Sequence, residues 1–203
     1  MKILSLTLIA LLASACGDGD DLDSNEEARR AYFGLDGSIE KSLALGFAGF
    51  NAAQSANIDP QMAAGAAAGT LTITGQVDQG ASANKGMRLH VGMVDYTDGD
   101  VVIVQEGKDD VTVNITYNTN TDVTMQPFLD LKLQGIPTGT FTGTLTGTYL
   151  MEGDLAGEAN LDLSFSGKLM SNGAGGTVRV VGMTTVTGTA TSGDGTFDVN
   201  LTL

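Results

Sequence analysis

The chain has 203 residues, with 10 Lys and Arg against 24 Asp and Glu and a formal charge of −14 at pH 7. That balance excludes nucleic acid and anionic membrane surfaces as charge-matched partners, because both need clustered Lys and Arg. One cysteine and one histidine rule out a disulfide framework and an ordinary zinc site, while 28 glycines, no Trp and 5% aromatics favour extended strands and tight turns over a helical bundle.

Lys2 precedes an apolar run from Ile3 to Leu12, and the small residues Ala13, Ser14 and Ala15 lead to Cys16. This is the layout of an export signal, too short to span as a stable transmembrane helix. The segment 1–16 resembles a bacterial lipoprotein signal peptide, in which small residues precede the cysteine that receives lipid. The resemblance implies that Cys16 becomes the mature N-terminus. It would carry a diacylglyceryl thioether and an acyl chain such as palmitate, and would join the protein to the cell envelope membrane. Gly17 in place of Asp after the cysteine leans this implied address towards the outer membrane, with the body in the periplasm or at the surface. Two or more chains anchor stably where one binds only reversibly. Ordinary cleavage after Ala15 is the alternative, and it would leave an exposed free thiol.

Residues 17–24, GDGDDLDS, have no apolar periodicity and read as an acidic flexible tether. A helix is predicted over 25–56, opened by Ser24 or Asn25 as N-cap with Glu26 and Glu27 in the first turn. Tyr32, Leu35, Ile39, Leu43, Gly46 and Phe50 recur at three and four residues, and Phe33, Leu45 and Phe47 widen the apolar surface. Glycines at 34, 37, 46 and 49 each cost up to ~1 kcal/mol relative to Ala, so something must pack closely against them. Asp59-Pro60 ends the helical region, and 57–69 reads as a small-residue connector.

From residue 70 to the end the period is two. Inward parity falls on Leu71, Ile73 and Val77; on Met87, Leu89, Val91 and Met93; on Val111, Val113, Ile115 and Tyr117; and on Val123, Met125, Leu129, Leu131 and Leu133. It continues on Phe141, Leu145, Tyr149 and Met151, on Leu161, Leu163 and Phe165, on Val178, Val180 and Val186, and on Phe197, Val199 and Leu201. Pro127 demands an edge or a bulge. Short connections make the strands antiparallel neighbours. The expected fold is mainly β with one N-terminal helix in a single domain over 25–203. About nine antiparallel strands form a meander, a strongly curved sheet or open barrel around the helix. A closed transmembrane barrel would need aromatic girdles, which these scattered aromatics do not supply.

Catalytic chemistry has few candidates. His90 shares a strand face with Arg88, no Gly-x-Ser-x-Gly elbow is present, and Asp154, Glu158 and Asp162, or Asp95, Asp98 and Asp100, read as solvated surface. The expectation is a protein with no cofactor, no metal and no catalysis, serving as a structural or surface-display lipoprotein. The competing expectation is a module that binds or transfers a lipid or other hydrophobic ligand on the concave face. Its candidate ligand-facing residues are Leu35, Ile39, Leu43, Phe47 and Phe50, and the deciding feature is whether the helix fills the concavity.

Overall fold

A computed structural model describes residues 21–104, 109–173 and 176–203. Cys16, the leader and residues 17–20 of the tether lie outside the described residues. Of the remaining tether, Leu22 is wholly buried and its carbonyl accepts from Ser192 Oγ at 2.7 Å, so the chain is already part of the core three residues before the helix begins.

Helix α1 runs Asn25–Ala52. Ser24 caps it by accepting from the Glu27 N–H, and Glu27 reaches back to accept from the Asp23 N–H at 2.9 Å. The helix stops four residues short of the expected end. Beyond Phe50 the chain offers no large side chain to bury until Ile58, and Ile58 enters the core from a strand, packing against Gly49.

That strand, β1 (Asn57–Ala64), occupies most of the segment expected to be a connector. It pairs with β2 (Ala68–Val77) and forms one edge of the sheet. An edge position explains how it tolerates Pro60: the missing N–H faces no neighbour, and the register shifts between Ile58 and Gln61. The sheet therefore starts before residue 70.

The other strands are β3 (Lys85–Thr97), β4 (Val101–Ile103), β5 (Val111–Val113), β6 (Ile115–Asn118), β7 (Phe128–Gln134), β8 (Thr140–Gly153), β9 (Gly157–Ser171), β10 (Thr177–Ser192) and β11 (Gly195–Thr202). Nine of them form one antiparallel sheet in the order β1-β2-β3, then β6 and β7, then β8-β9-β10-β11, strongly curved into a partial ring. Strands β6 and β7 are two pieces of one interrupted strand, both lying between β3 and β8. The chain leaves the sheet after Asn118 and re-enters through Pro127, which faces Gly147 at φ 132° on β8. Val123 and Met125, expected to point inward, sit in a 3-10 turn of this excursion and are 41% and 65% exposed. Strands β4 and β5 form a separate hairpin, so Val111 and Val113 belong to it and not to the main sheet.

The ring does not close, and α1 packs against both edge strands, β1 on one side and β11 on the other. The strand parity is otherwise as the period of two demands: Met87, Leu89, Leu129, Leu131, Leu145, Leu161 and Leu163 are all buried towards the helix. Strand β10 departs from it. Its pairing with β9 shifts between Arg179 and Thr184, so four residues bulge out opposite one. Val178 and Val180 are then not core residues; Arg179 and Thr184 face the helix side, and Val181 is 95% exposed.

Candidate functional site

The helix reaches the sheet through its glycines. A Cβ on Gly34 would collide with the Tyr117 hydroxyl, and one on Gly46 would come within 2.7 Å of Met87 Sδ. Tyr117 Oη donates to the Ala31 carbonyl at 2.7 Å, so the aromatic end of β6 lies directly on the helix backbone. With the two surfaces this close, Leu35, Ile39 and Leu43 are 1%, 2% and 2% exposed and belong to the core. The helix fills the middle of the concavity.

Two polar anchors hold it there. Arg179 donates from Nε to Glu40 Oε2 at 2.8 Å, from NH1 to Asp36 Oδ1 at 2.8 Å, and from NH2 to Asp36 Oδ2 at 2.9 Å and to the Asp36 carbonyl at 3.2 Å. Burial alone would lower the guanidinium pKa, but Asp36 and then Glu40 outweigh it and hold the group charged. Tyr32 Oη donates to the same Asp36 carboxylate at 3.0 Å, and its phenol is pushed well up by burial first and Asp36 second. At the other flank, Lys41 donates to Tyr96 Oη at 3.0 Å, to the Ala64 carbonyl at 3.2 Å and to Asp98, which also accepts from Tyr96 Oη at 2.7 Å. Asp98 is therefore a half-buried anchor, not the solvated turn residue its neighbours suggested. Burial would raise its carboxyl, but the bonds from Lys41, Ala66 N–H and Tyr96 together hold it below the ordinary 3.8.

The two remaining ligand-facing candidates of the helix, Phe47 and Phe50, are only half-buried. They line a groove of about 410 Å³ at the C-terminal end of α1, together with Lys85, Ile136, Pro137 and Thr177. Lys85 is the unusual member. It begins β3 with the same parity as Met87 and Leu89, pairs with Leu133 of β7, and is 5% exposed. Its ammonium lies 4.2 Å from the centroid of the Phe50 ring and donates to the Gly80 carbonyl. A cation over an aromatic face gains roughly 0.5–2 kcal/mol. No carboxylate among the described residues lies within ion-pair distance of it, and none lines the groove. Sequence reasoning passed over Lys85, although a signal was present: the inward alternation of β3 extends back to it unbroken.

A second groove of about 420 Å³ runs along the helix flank between Phe33, the β4 residues Val101 and Val102, and the β10 bulge. Its floor is the Arg179, Asp36 and Glu40 cluster, whose charges already satisfy one another.

The catalytic candidates do not converge. His90 lies on the outer face with its ring centroid 5.1 Å from that of Phe128. Asp154, Glu158 and Asp162 are exposed, Asp95 turns to Asn118, and Asp100 accepts from Asn114 Nδ2 at 2.8 Å. Among the described residues no three His, Cys, Asp or Glu side chains are grouped to hold a metal ion, and no helix is long and apolar enough to cross a membrane. Comparison with protein-family models, with curated proteins and with solved structures finds no match to this chain.

Proposed function

We propose that this chain is a lipid-anchored protein of the bacterial cell envelope whose body has a structural or display role and performs no catalysis. The reading is carried by one observation: Leu35, Ile39 and Leu43 occupy the concave face of the sheet, with Gly34 and Gly46 bringing the helix against Tyr117 and Met87. A carrier of lipid within the sheet would need that space. What the body offers instead is a stiff, acidic, hydroxyl-rich exterior on a core fastened to its own N-terminal helix by Arg179 and Lys41. The leader supports the address, with Cys16 as the lipid-bearing residue and Gly17 leaning towards the outer membrane.

Intact mass of the membrane-extracted protein tests the anchor. The expected result is a chain starting at Cys16 and heavier by a diacylglyceryl group and an acyl chain, released from membranes by Cys16→Ala. An unmodified Cys16, or equal membrane retention of the variant, overturns it. The competing reading, a hydrophobic ligand, loses its interior site to Leu35, Ile39 and Leu43 but keeps Phe47 and Phe50 at the end of the helix.

A further inference from the structure

We propose that the groove at the C-terminal end of α1 binds a free, single-tailed amphiphile with an anionic head, such as a medium-chain carboxylate, and that Lys85 is the charge that recognises the head. This goes beyond the anchoring role above and does not depend on it.

The argument starts from a buried charge. An ammonium has three N–H donors, and taking it out of water is unfavourable unless acceptors replace the lost solvent. A lysine that only covered apolar surface with its stem would carry its head out to water. Lys85 does the opposite: it is 5% exposed, sits on the inward parity of β3, and turns its head onto Phe50 and the Gly80 carbonyl. In a chain with 24 acidic residues against 10 basic ones, it faces a groove that no carboxylate lines. Asp78 and Asp130 line a separate pocket with Lys85, and Asp78, whose carboxyl is held low by Arg88 first and by Lys85 least, accepts from Arg88 at 2.8 Å and from the Gly86 N–H at 2.9 Å. The site thus presents a cation whose donors exceed its acceptors among the described residues.

The surroundings set the rest of the ligand. Phe47, Phe50, Ile136 and Pro137 supply an apolar wall beside the cation, with the buried Thr177 among the lining residues. This is one charge converging with apolar walls, the usual composition of a small-molecule site. A volume of about 410 Å³ lies at the small end of the ligand-site range of ~300–1,000 Å³, which suits a medium chain and not a two-tailed phospholipid. A membrane surface is disfavoured as the occupant, because a chain of formal charge −14 is repelled by anionic headgroups and one recessed lysine cannot offset that.

The test uses the whole chain from residue 16 with Cys16→Ser, in detergent-free buffer below the micellar range of each probe. Sodium decanoate, decanol and decyltrimethylammonium, which share a tail, are titrated by calorimetry and by NMR. Decanoate is expected to saturate at one site, shifting Phe47, Phe50 and Ile136 resonances, and to bind at least ~10-fold tighter than decanol, a difference of about 1.4 kcal/mol. Lys85→Met, checked for its amide spectrum and cooperative unfolding, is expected to bind both equally. If that variant does not fold, the ranking of the three probes on the unmodified groove decides. Equal affinity for decanoate and decanol overturns the proposal. So does preference for the cationic probe, saturation at the flank groove instead, or binding to phosphatidylglycerol vesicles without binding of free decanoate. Failure here leaves the Cys16 anchor untouched, and failure of the anchor leaves this site untouched.

Discussion

Replacing Gly34 by Ala tests whether helix and sheet truly touch. In an isolated helix this change stabilises by about 1 kcal/mol, since glycine is the poorer helix former. Here the added methyl meets the Tyr117 hydroxyl and comes within 3.2 Å of two ring carbons, and Tyr117 has no exposed surface into which to retreat. Displacing the ring costs ~1–3 kcal/mol as overpacking, and depriving a buried hydroxyl of its bond to the Ala31 carbonyl costs a further ~1–3 kcal/mol. After the propensity gain, the expected loss is about 3 kcal/mol, a large part of a typical stability of ~5–15 kcal/mol. Gly46→Ala is the internal control: it gains the same propensity but meets the flexible thioether of Met87, which can swing aside, so its net effect should stay within ~1 kcal/mol of zero. Urea unfolding of the singles and of Gly34→Ala with Tyr117→Phe completes a cycle. Removing the hydroxyl should recover ~1–2 kcal/mol of the Gly34→Ala loss. A Gly34→Ala protein as stable as the parent, or an additive double variant, would refute close packing of α1 on β6.

Arg179→Met leaves Asp36 and Glu40 without their shared cation; because Glu40 is about one-third exposed, the loss in urea unfolding should be ~2–4 kcal/mol, less than for a fully buried pair, and a loss under ~1 kcal/mol contradicts the anchor. All four tyrosines, Tyr32, Tyr96, Tyr117 and Tyr149, are buried, and burial is the leading cause that raises each phenol above the ordinary 10.0. A folded pKa above the unfolded one contributes stability that is complete below the unfolded value and lost as pH rises, so phenolate absorbance should appear only together with loss of sheet circular dichroism above about pH 10. A tyrosine titrating near 10 in the folded protein would refute this. Asp98 shifts the other way: its folded pKa lies below 3.8, so its contribution is present above that value and lost as pH falls further. Asp98→Asn should therefore lower stability at neutral pH and flatten the decline of the urea midpoint between about pH 4 and pH 2; unchanged slopes would count against the Lys41 anchor.

Much of the fold was legible because a half-buried antiparallel strand must alternate, and Met87 to Met93 or Leu161 to Phe165 do so cleanly. The glycines at 34 and 46 likewise announced a close neighbour. What the pattern hid has local causes. Strand β1 carries one inward anchor, Ile58, and is otherwise held by its backbone ladder to β2, so QMAAG shows no alternation to detect. The bulge in β10 reverses parity without changing composition, which made two valines look buried and Arg179 look exposed. Within the candidate site, the stripe of the helix did not distinguish Leu43 from Phe50, because the boundary between core and groove is set by where the sheet ends. Lys85 marks that boundary. It was readable only by treating a charge on an apolar parity as a positive signal.

The clasping of α1 by both sheet edges has a kinetic consequence. Among the described elements the helix precedes every strand, yet one of its two edge partners, β11, follows all the others, and Asn25 Oδ1 accepts the Asp198 N–H at 2.8 Å across that separation. Until the final strand arrives, the Leu35, Ile39 and Leu43 surface has only part of its cover and α1 lacks half of its seat. Pairing of such long sequence separation is slow to form, and the incomplete chain exposes strand edges that invite association. A chain truncated before β11 should therefore keep α1 seated on one edge of the sheet only, without the contacts and the Asn25 bond that the other edge supplies.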